Sequence, residues 1–326
     1  MSLDVAEASI VVMSSSWCDE SELSFVTRSV AGAASRSGAV SIFTPSPAGE
    51  RRADGAFDLV GIGAAQNATW PDVVTAHWPH EADADAVWIV DEPSESALAL
   101  LHGCPGRAAH SIAPVGLDTD PSVSQLRLIP RPDRSGAGLH VPINPLARTG
   151  RHTGLGFTGY LLVLTDRPSR PPVTPPTSKA AWLTARFPEQ YVVVVEGAEA
   201  VVWKGRALRG AVPIDTRTDL WRLVAHAAMT VDLDPGAIVA RECIESLRFG
   251  TPIVVPAHSV AARHAQAGGG LTFRNVEDMF EAVERLMSPQ ERECFSRDGA
   301  VYADSAFGDP DGFVAALAAT LQLKHP

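Results

Sequence analysis

The alternation of short apolar runs with helical segments constrains this chain more than any other feature. In the second half, the runs GYLLVL (159–164), QYVVVV (190–195) and TPIVV (251–255) have the length and continuous hydrophobicity of strands buried on both faces. Amphipathic segments such as SKAAWLTARF and TDLWRLVAHA follow the first two runs. The first half begins in the same way, with ASIVVM, a helical stretch and AVSIFT. Such alternation is typical of parallel sheets covered by helices, so the sequence predicts an α/β fold.

A break in this alternation divides the chain. The segment INPLARTGRHTGLG (143–156) contains glycines and a proline but no apolar period. We therefore predict two Rossmann-like doubly wound domains that face each other across a cleft, one at 1–148 and one at 149–305. The remaining residues, 306–326, form a predicted C-terminal helix that packs back on the N-terminal domain. Within the second domain, the proline-rich segment RPSRPPVTPPTS (167–178) predicts an extended surface loop.

The composition argues against several classes of function. The 326 residues carry a formal net charge of -11, which disfavours general binding to nucleic acids or anionic membranes. The four cysteines form no CxxC pair, so neither a zinc knuckle nor a disulfide framework is predicted. His77 and His80 lack a third ligand nearby, and we predict no metal site. The first residues lack a signal-peptide pattern and no long apolar run follows, so the expected location is the cytoplasm.

The loops that follow the predicted strands are the expected place for chemistry, because parallel α/β sheets bind ligands at the carboxyl ends of their strands. After the first strand, this loop contains Ser15, Ser16 and Trp17. In the second domain, Arg167 follows the first strand and Lys179 opens the next helix. Single cations in loops are usually solvated, but together at one edge they would form a clamp for a diphosphate. The loop PAHSVAAR adds backbone N–H groups at a predicted helix start, which also suit an anion.

The segment before TPIVV predicts a helix with clear boundaries. Asp234 supplies an N-cap and Pro235 a favoured first helical residue, while Gly250 follows the last turn. We therefore predict a helix over about 235–249 that leads into a buried strand.

This predicted helix carries an acidic face. On a helical period, Glu242 and Glu245 fall opposite the apolar stripe that contains Cys243. One interpretation is a solvent-exposed face on which Arg241 pairs with Glu245 at i, i+4. The other is a ligand-binding face, and the residues alone leave both open.

The stretch MTVDLDPGAIVARECIESLRFGTPIVVP (229–256) resembles the donor-binding domain of retaining GT-B glycosyltransferases, the glycogen-synthase and mannosyltransferase-like group. The family pattern E-A-x-x-x-G-x-P-V-V is similar to the run from Glu245 to Val254, in which Ser246 replaces the alanine. The stretch GGGLTFRNVEDMFEAVERLM (268–287) resembles the family's Gly-Leu-Leu-Phe segment and the small helix after it. The resemblance implies a GT-B fold with an N-terminal acceptor domain and a C-terminal nucleotide-sugar donor domain.

The resemblance also implies roles for individual residues. Glu245 is expected to bind the ribose hydroxyls of the nucleotide, and Arg167 and Lys179 to act as catalytic groups that neutralise the leaving diphosphate. Further residues expected around the donor are Glu242, Asp234, Gly197, Val212, Ser259 and Val260. The loop with Ser15, Ser16 and Trp17 is expected beside the acceptor. No metal or other cofactor is implied, because the nucleotide sugar is itself the substrate.

Two departures from the family pattern keep alternatives open. Ala237 stands eight positions before Glu245, where the family has a first glutamate, and serines replace a glycine-rich loop at Ser15 and Ser16. The first hypothesis is a retaining hexosyltransferase that uses a nucleotide sugar and an acceptor glycan or small molecule. The second is a catalytically inactive GT-B scaffold that binds a nucleotide or a protein partner. The third is another two-domain α/β enzyme, such as a nucleotide-sugar epimerase.

Overall fold

The chain forms two compact units in a computed structural model. The structure describes residues 8–14, 17, 21–44, 51–54, 57–61, 87–91, 108–112, 124–125, 139, 141–143, 145, 155–165, 179–236 and 238–322. One unit comprises Met1–Pro142 together with Pro310–Pro326, and the other comprises Ile143–Asp309. The domain boundaries proposed above, after residues 148 and 305, stay predictions.

Helices of varied length cover the two sheets. They are α1 (Glu22–Ala34), α2 (Lys179–Arg186), α3 (Arg217–His226), α4 (Arg241–Arg248), α5 (Ala262–His264), α6 (Val276–Met287), α7 (Pro289–Phe307) and α8 (Pro310–Thr320). Polar side chains set where some of them begin. Ser21 Oγ accepts the N–H of Ser24 at the start of α1. At the start of α3, Thr216 and Asp219 accept each other's backbone N–H in a capping box, which fixes the first turn.

The sheet of the first unit is doubly wound. Its described strands are β1 (Ala8–Met13), β2 (Gly38–Thr44), β3 (Arg51–Asp54), β4 (Phe57–Gly61), β5 (Val87–Val90), β6 (Ala108–Ser111) and β7 (Ser124–Gln125), in the order β3-β4-β2-β1-β5-β6-β7. Neighbouring strands are parallel except for β3 and β4. The chain moves outward from β1 to β4 and then returns to β5 on the other side of β1. The topology therefore reverses between β1 and β5.

The second unit repeats this plan with a different outer part. Its described strands are β8 (Tyr160–Leu164), β9 (Tyr191–Glu196), β10 (Glu199–Lys204), β11 (Ala207–Pro213), β12 (Ala227–Asp232), β13 (Ile253–Pro256) and β14 (Gly270–Phe273), in the order β11-β10-β9-β8-β12-β13-β14. Strands β9, β8, β12, β13 and β14, which are adjacent in this order, are parallel to one another, and the topology reverses between β8 and β12. The α/β class with two doubly wound units is confirmed.

An antiparallel meander of β9, β10 and β11 forms the outer part of the second sheet, where the sequence pattern predicted only parallel strands. Two-residue turns join these strands, and their first residues, Gly197 and Gly205, have φ values of 60° and 57°. Glycine adopts such values without strain and favours the tight turns of hairpins. A parallel connection needs about a dozen residues or more, so two-residue turns dictate antiparallel pairing.

Both faces of the second sheet are buried, which explains its continuous apolar runs. Leu161 and Val163 of β8 pack in one core cluster with Leu183 of α2 and with residues of α6. Leu162 and Leu164 point to the other face and pack with Leu220, Leu223 and Val224 of α3. Successive side chains of a strand point to opposite faces, so a strand covered on both sides is apolar throughout.

The start of α4 differs from the sequence prediction. The helix begins at Arg241, whereas Asp234 and Pro235 suggested a start about six residues earlier. Ala240 has φ 52° and ψ 57°, a left-handed conformation that cannot continue a right-handed helix toward its N-terminus. The backbone N–H of Asp234 donates to the carboxylate of Asp232 in this irregular segment. The predicted end is confirmed, since Phe249 is the C-cap and Gly250 follows at φ 72°.

Candidate functional site

The carboxyl edge of the second sheet is the candidate site, because ligands bind doubly wound sheets where the strand order reverses. Gly197 follows β9 at this edge, and Val212 lies near the end of β11, which runs parallel to β9. Asp234 follows β12, and Ser259 and Val260 follow β13. Five predicted donor-site residues from four segments therefore share one edge of the sheet.

The basic residues of the predicted clamp are described only in part. Lys179 is the first residue of α2, a helix that connects β8 to β9 and therefore begins at the same edge. Arg167 lies outside the described residues, and so does Ala237. Whether Arg167 and Lys179 meet at one phosphate stays a prediction.

Four charged side chains, one from α3 and three from α4, form a cluster. Arg217, the first residue of α3, donates through Nε and Nη2 to the two carboxylate oxygens of Glu245, with Nε 3.2 Å from Oε1. Its Nη1 donates to Glu242 Oε1 at 2.8 Å. Arg241 Nε donates to Glu245 Oε1 at 2.9 Å, which is the i, i+4 pair expected from the sequence. Two arginines thus meet two glutamates.

Glu245 is buried, and this corrects the expectation of an acidic face pointing away from the core. Its relative exposure is 1%, and both of its oxygens accept hydrogen bonds from guanidinium groups. Glu242 is more accessible, with 22% of its side chain exposed. The helical period had placed both residues opposite Cys243, which is indeed fully buried. The period missed the burial of Glu245 because α3 lies beside α4 and covers this face with Arg217.

Burial and the neighbouring charges shift the pKa values of the two arginines in opposite directions. Burial lowers the pKa of Arg217, but the negative charges of Glu242 and Glu245 outweigh burial, and the pKa is raised above its ordinary value. For Arg241, burial and the positive charge of Arg217 outweigh the nearby glutamates, and its pKa is lowered. The cluster has equal numbers of positive and negative charges, and its buried carboxylate is fully paired.

Asp232 is a site residue that sequence reasoning missed. It is the last residue of β12, beside the reversal point, and only 3% of it is exposed. The Cys243 thiol donates to Asp232 Oδ2 with a sulfur–oxygen distance of 3.3 Å. Burial, and secondarily the negative charge of Glu242, raises the pKa of Asp232 to about 7. The loop containing Asp232 was a candidate, but Asp234 was chosen from it, and Asp234 is exposed.

The loop after β13 is a tight turn with unused N–H groups. Ser259 donates to the carbonyl of Pro256 through both Oγ, at 2.7 Å, and its backbone N–H, at 3.1 Å. Within the described part of the chain, the N–H groups of Val260 and Ala261 donate to no backbone carbonyl. Backbone N–H groups arranged in this way can bind an anion.

The reversal point of the first sheet contains a second buried carboxylate. Ser14 follows β1 and Asp91 follows β5, and Ser14 Oγ donates to Asp91 Oδ2 while both residues are buried. Trp17 is also buried, and its carbonyl accepts hydrogen bonds from Ser24 Oγ and Arg28 Nη1. Ser15 and Ser16, the predicted acceptor-loop residues, lie outside the described part. Ser14 belongs to the candidate loop after the first strand, but Ser15, Ser16 and Trp17 were selected from it. Asp91 was missed because it stands in no recognisable motif.

On β6, the strand next to β5, His110 is buried, and neither of its ring nitrogens has a hydrogen-bond partner among the described residues. Burial lowers the pKa of His110, which favours the neutral ring.

Among the described residues, no group of three His, Cys, Asp or Glu side chains could hold a metal ion. His77 and His80 lie outside those residues. The part of the chain that is described also contains no helix with the length and hydrophobicity to cross a membrane.

Sequence comparisons find no relative, whereas structural comparisons find many. No protein-family model and no curated protein matches the chain. HepE of Anabaena, solved in complex with UDP and glucose, is similar with a TM-score of 0.63 and 12% identity, over 97% of this chain and 99% of that one. Sucrose-phosphate synthase of Thermosynechococcus elongatus is similar with a TM-score of 0.62 and 10% identity, over 97% and 98%.

A putative UDP-N-acetylglucosamine 2-epimerase of Listeria monocytogenes is also similar, with a TM-score of 0.54 and 13% identity, over 98% of both chains. These identities are too low to transfer an activity, but the coverage extends over both units. The likeness agrees with the strand orders and with the resemblance of residues 229–256. Together, these observations identify the fold as that of the GT-B glycosyltransferases.

Proposed function

We propose that the second unit binds a nucleotide sugar and that the protein transfers the sugar to an acceptor with retention of configuration. The observation that carries the proposal is the common position of Gly197, Val212, Asp234, Ser259 and Val260 at the carboxyl edge of one doubly wound sheet. Residues 229–256, which resemble a donor-binding domain, contribute the strand and helix at the centre of this edge. A GT-B neighbour solved with UDP and glucose supports the same ligand class.

The leaving diphosphate accounts for the basic residues of the site. Negative charge develops on it as the bond to the sugar breaks, and preorganised donors and cations stabilise such charge most effectively. Lys179 begins α2 at the edge, and Arg167 follows β8 in the sequence. The N–H groups of Val260 and Ala261 are further donors available to a phosphate oxygen.

The acidic residues suit the other end of the nucleotide. Carboxylates accept hydrogen bonds from the ribose hydroxyls, and Glu242 and Glu245 are the two carboxylates of α4. Glu242 is the accessible one, whereas Glu245 is buried and both of its oxygens already accept hydrogen bonds from arginines.

The occupied state of Glu245 favours a second candidate, the catalytically inactive scaffold. A carboxylate enclosed by Arg217 and Arg241 can be a purely structural ion pair, and Ala237 stands where a glutamate is expected. On this candidate the protein binds a nucleotide or a partner without turnover. The epimerase hypothesis has a structural neighbour of the same fold, but the described residues favour it through no further feature.

The test is release of nucleoside diphosphate from UDP-glucose, GDP-mannose and ADP-glucose, with water or an added sugar as the acceptor. The wild type is expected to act on one donor, and Lys179→Ala and Arg167→Ala are each expected to reduce the rate by about a hundredfold. Arg186→Ala is the matched control, because Arg186 lies at the opposite end of α2 in an exposed pair with Glu284. Its rate should equal that of the wild type.

The three outcomes separate the candidates. Release that depends on Lys179 supports the transferase, and the anomeric configuration of the freshly formed product, followed by NMR, tests retention. Binding without release from any of the three donors would favour the scaffold. Release that is equally fast in Lys179→Ala and in Arg186→Ala would contradict the proposed diphosphate clamp.

A further inference from the structure

Arg217 occupies the carboxylate that the proposed function assigns to the ribose. Its Nε and Nη2 contact the two oxygens of Glu245, and its Nη1 contacts Glu242 Oε1 at 2.8 Å. All three guanidinium nitrogens therefore bind carboxylates of the candidate donor site. A bidentate arginine–carboxylate pair is among the strongest side-chain interactions in proteins.

The exposure of the individual side chains shows which residues of the cluster cover Glu245. The side chain of Glu245 is 2% exposed, whereas those of Arg217 and Glu242 are 15% and 22% exposed. The arginine and Glu242 therefore form the solvent side of the cluster, with Glu245 beneath them. A ribose that approaches from solvent cannot form hydrogen bonds with both oxygens of Glu245 while Arg217 remains.

Arg217 can leave without unfolding its helix. It is the first residue of α3, and the backbone of that turn is held by the capping box of Thr216 and Asp219, not by the guanidinium. When Arg217 leaves, Arg241 still neutralises Glu245 through the Nε contact at 2.9 Å. The cluster thus has one arginine on the same helix as Glu245 and one that reaches it from a neighbouring helix.

We propose that Arg217 is an intramolecular gate of the donor site, which competes with the ribose of a nucleoside diphosphate for Glu245. The closed state is the one described above, and the open state has Glu245 paired with Arg241 alone. This inference rests on the proposed function, since it concerns regulation of the same site. A protein that binds ligand only in a minor open state has a weaker apparent affinity than its intrinsic one, by the fraction that is open.

If Arg217 is a gate, weakening its contact with Glu245 should strengthen nucleotide binding. UDP, GDP and ADP are titrated calorimetrically into the wild type and into Arg217→Gln, which removes the charge but keeps a polar side chain of similar length. We expect the Kd of the bound nucleotide to fall by about tenfold in the variant. Arg222→Gln is the matched control, because Arg222 lies in the same helix and pairs with Asp219. It should leave the Kd unchanged.

Arg217→Lys is a second test of the gate, in case Arg217→Gln fails to fold. Lysine keeps the positive charge beside the two glutamates but cannot make the bidentate contact, so the closed state is weakened while charge balance is preserved. A thermal melt confirms folding of each variant before titration. Arg217→Lys should also bind the nucleotide more tightly than the wild type, by a smaller factor than Arg217→Gln.

The outcomes distinguish failure of the gate from failure of the proposed function. Tighter binding in folded Arg217 variants, including binding that the wild type lacks, supports the gate. An unchanged or higher Kd in those variants overturns the gate but leaves the donor site in place, because the wild type still binds. Absence of binding in the wild type and in every folded variant overturns both.

Discussion

The two sheets have the same plan of reversal but different chemistry at the reversal point. In the first sheet, between β1 and β5, the buried carboxylate of Asp91 accepts a hydrogen bond from the hydroxyl of Ser14. In the second, between β8 and β12, the buried Asp232 accepts the thiol of Cys243 and lies near the negative charge of Glu242. Asp91 is thus contacted by a neutral hydroxyl, whereas Asp232 adjoins a cluster of charged side chains.

This difference indicates what each edge can recognise. A carboxylate held by a hydroxyl suits hydrogen bonding to uncharged hydroxyl groups, such as those of an acceptor. Paired charges beside a protonatable acid suit a ligand that carries charge at one end and hydroxyls at the other, as a nucleoside diphosphate does. The acceptor and donor roles that the resemblance implies for the two domains stay predictions.

The largest effect is expected when Glu245, the buried carboxylate of the charged cluster, is replaced. Glu245→Ala leaves Arg217 and Arg241 without a shared buried partner, so we expect the free energy of unfolding to fall by about 3–5 kcal/mol. Urea denaturation measures the change. Glu284→Ala is the control, because Glu284 forms an exposed pair with Arg186 that is worth about 1 kcal/mol or less. Equal losses in the two variants would show that the buried cluster is energetically ordinary.

The second prediction concerns the acid of the second sheet. With its pKa raised to about 7, Asp232 stays protonated to higher pH in the folded protein than in the unfolded chain. The folded state therefore binds more protons between about pH 4 and pH 7, and the stability contributed by Asp232 is lost as the pH rises through that window.

Replacing this acid removes the pH-dependent contribution. The stability of Asp232→Asn relative to the wild type should increase by about 2–3 kcal/mol between pH 5 and pH 8. Urea denaturation of both proteins at the two pH values gives this difference. Parallel behaviour of the wild type and the variant would show that Asp232 is ionised throughout, like an ordinary surface acid.

The smallest effect is expected when the hydroxyl of Ser14 is removed from the edge of the first sheet. Ser14→Ala leaves Asp91 without the hydroxyl that now donates to it, and the expected loss of unfolding free energy is about 1–2 kcal/mol. Ser305→Ala is the control, because Ser305 is exposed and donates to a nearby carbonyl. Urea denaturation curves compare the two variants. If Ser14→Ala loses no more unfolding free energy than the control, the hydrogen bond from Ser14 to Asp91 does not stabilise this edge.

Local patterns in the sequence predicted the strands of the second sheet better than the side-chain contacts around Glu245. The apolar runs predicted the parallel strands, and their order brings the loops with Gly197, Asp234 and Ser259 to one edge. The capping box at Thr216 is readable from the sequence, but its helix was not connected with Glu245. Arg217 reaches Glu245 only because α3 and α4 lie side by side, and a helical period cannot report a partner from another helix.

Backbone geometry explains the other differences. Ala240 has a left-handed conformation, which non-glycine residues rarely adopt, so the N-cap signal at Asp234 suggested a helix that starts too early. The hairpin turns at Gly197 and Gly205 have a readable glycine signal, but each stands beside a strand of strongly apolar residues that is also typical of a parallel sheet.

The most direct measurement is calorimetric titration of UDP, GDP and ADP into the wild type, Lys179→Ala and Arg186→Ala. A donor site at the carboxyl edge of the second sheet predicts that one nucleotide binds the wild type and Arg186→Ala equally. It also predicts that Lys179→Ala binds that nucleotide about tenfold more weakly, because one cation of the clamp is lost. Absence of binding in both the folded wild type and folded Arg217→Gln, or binding with no dependence on Lys179, would contradict the proposed site.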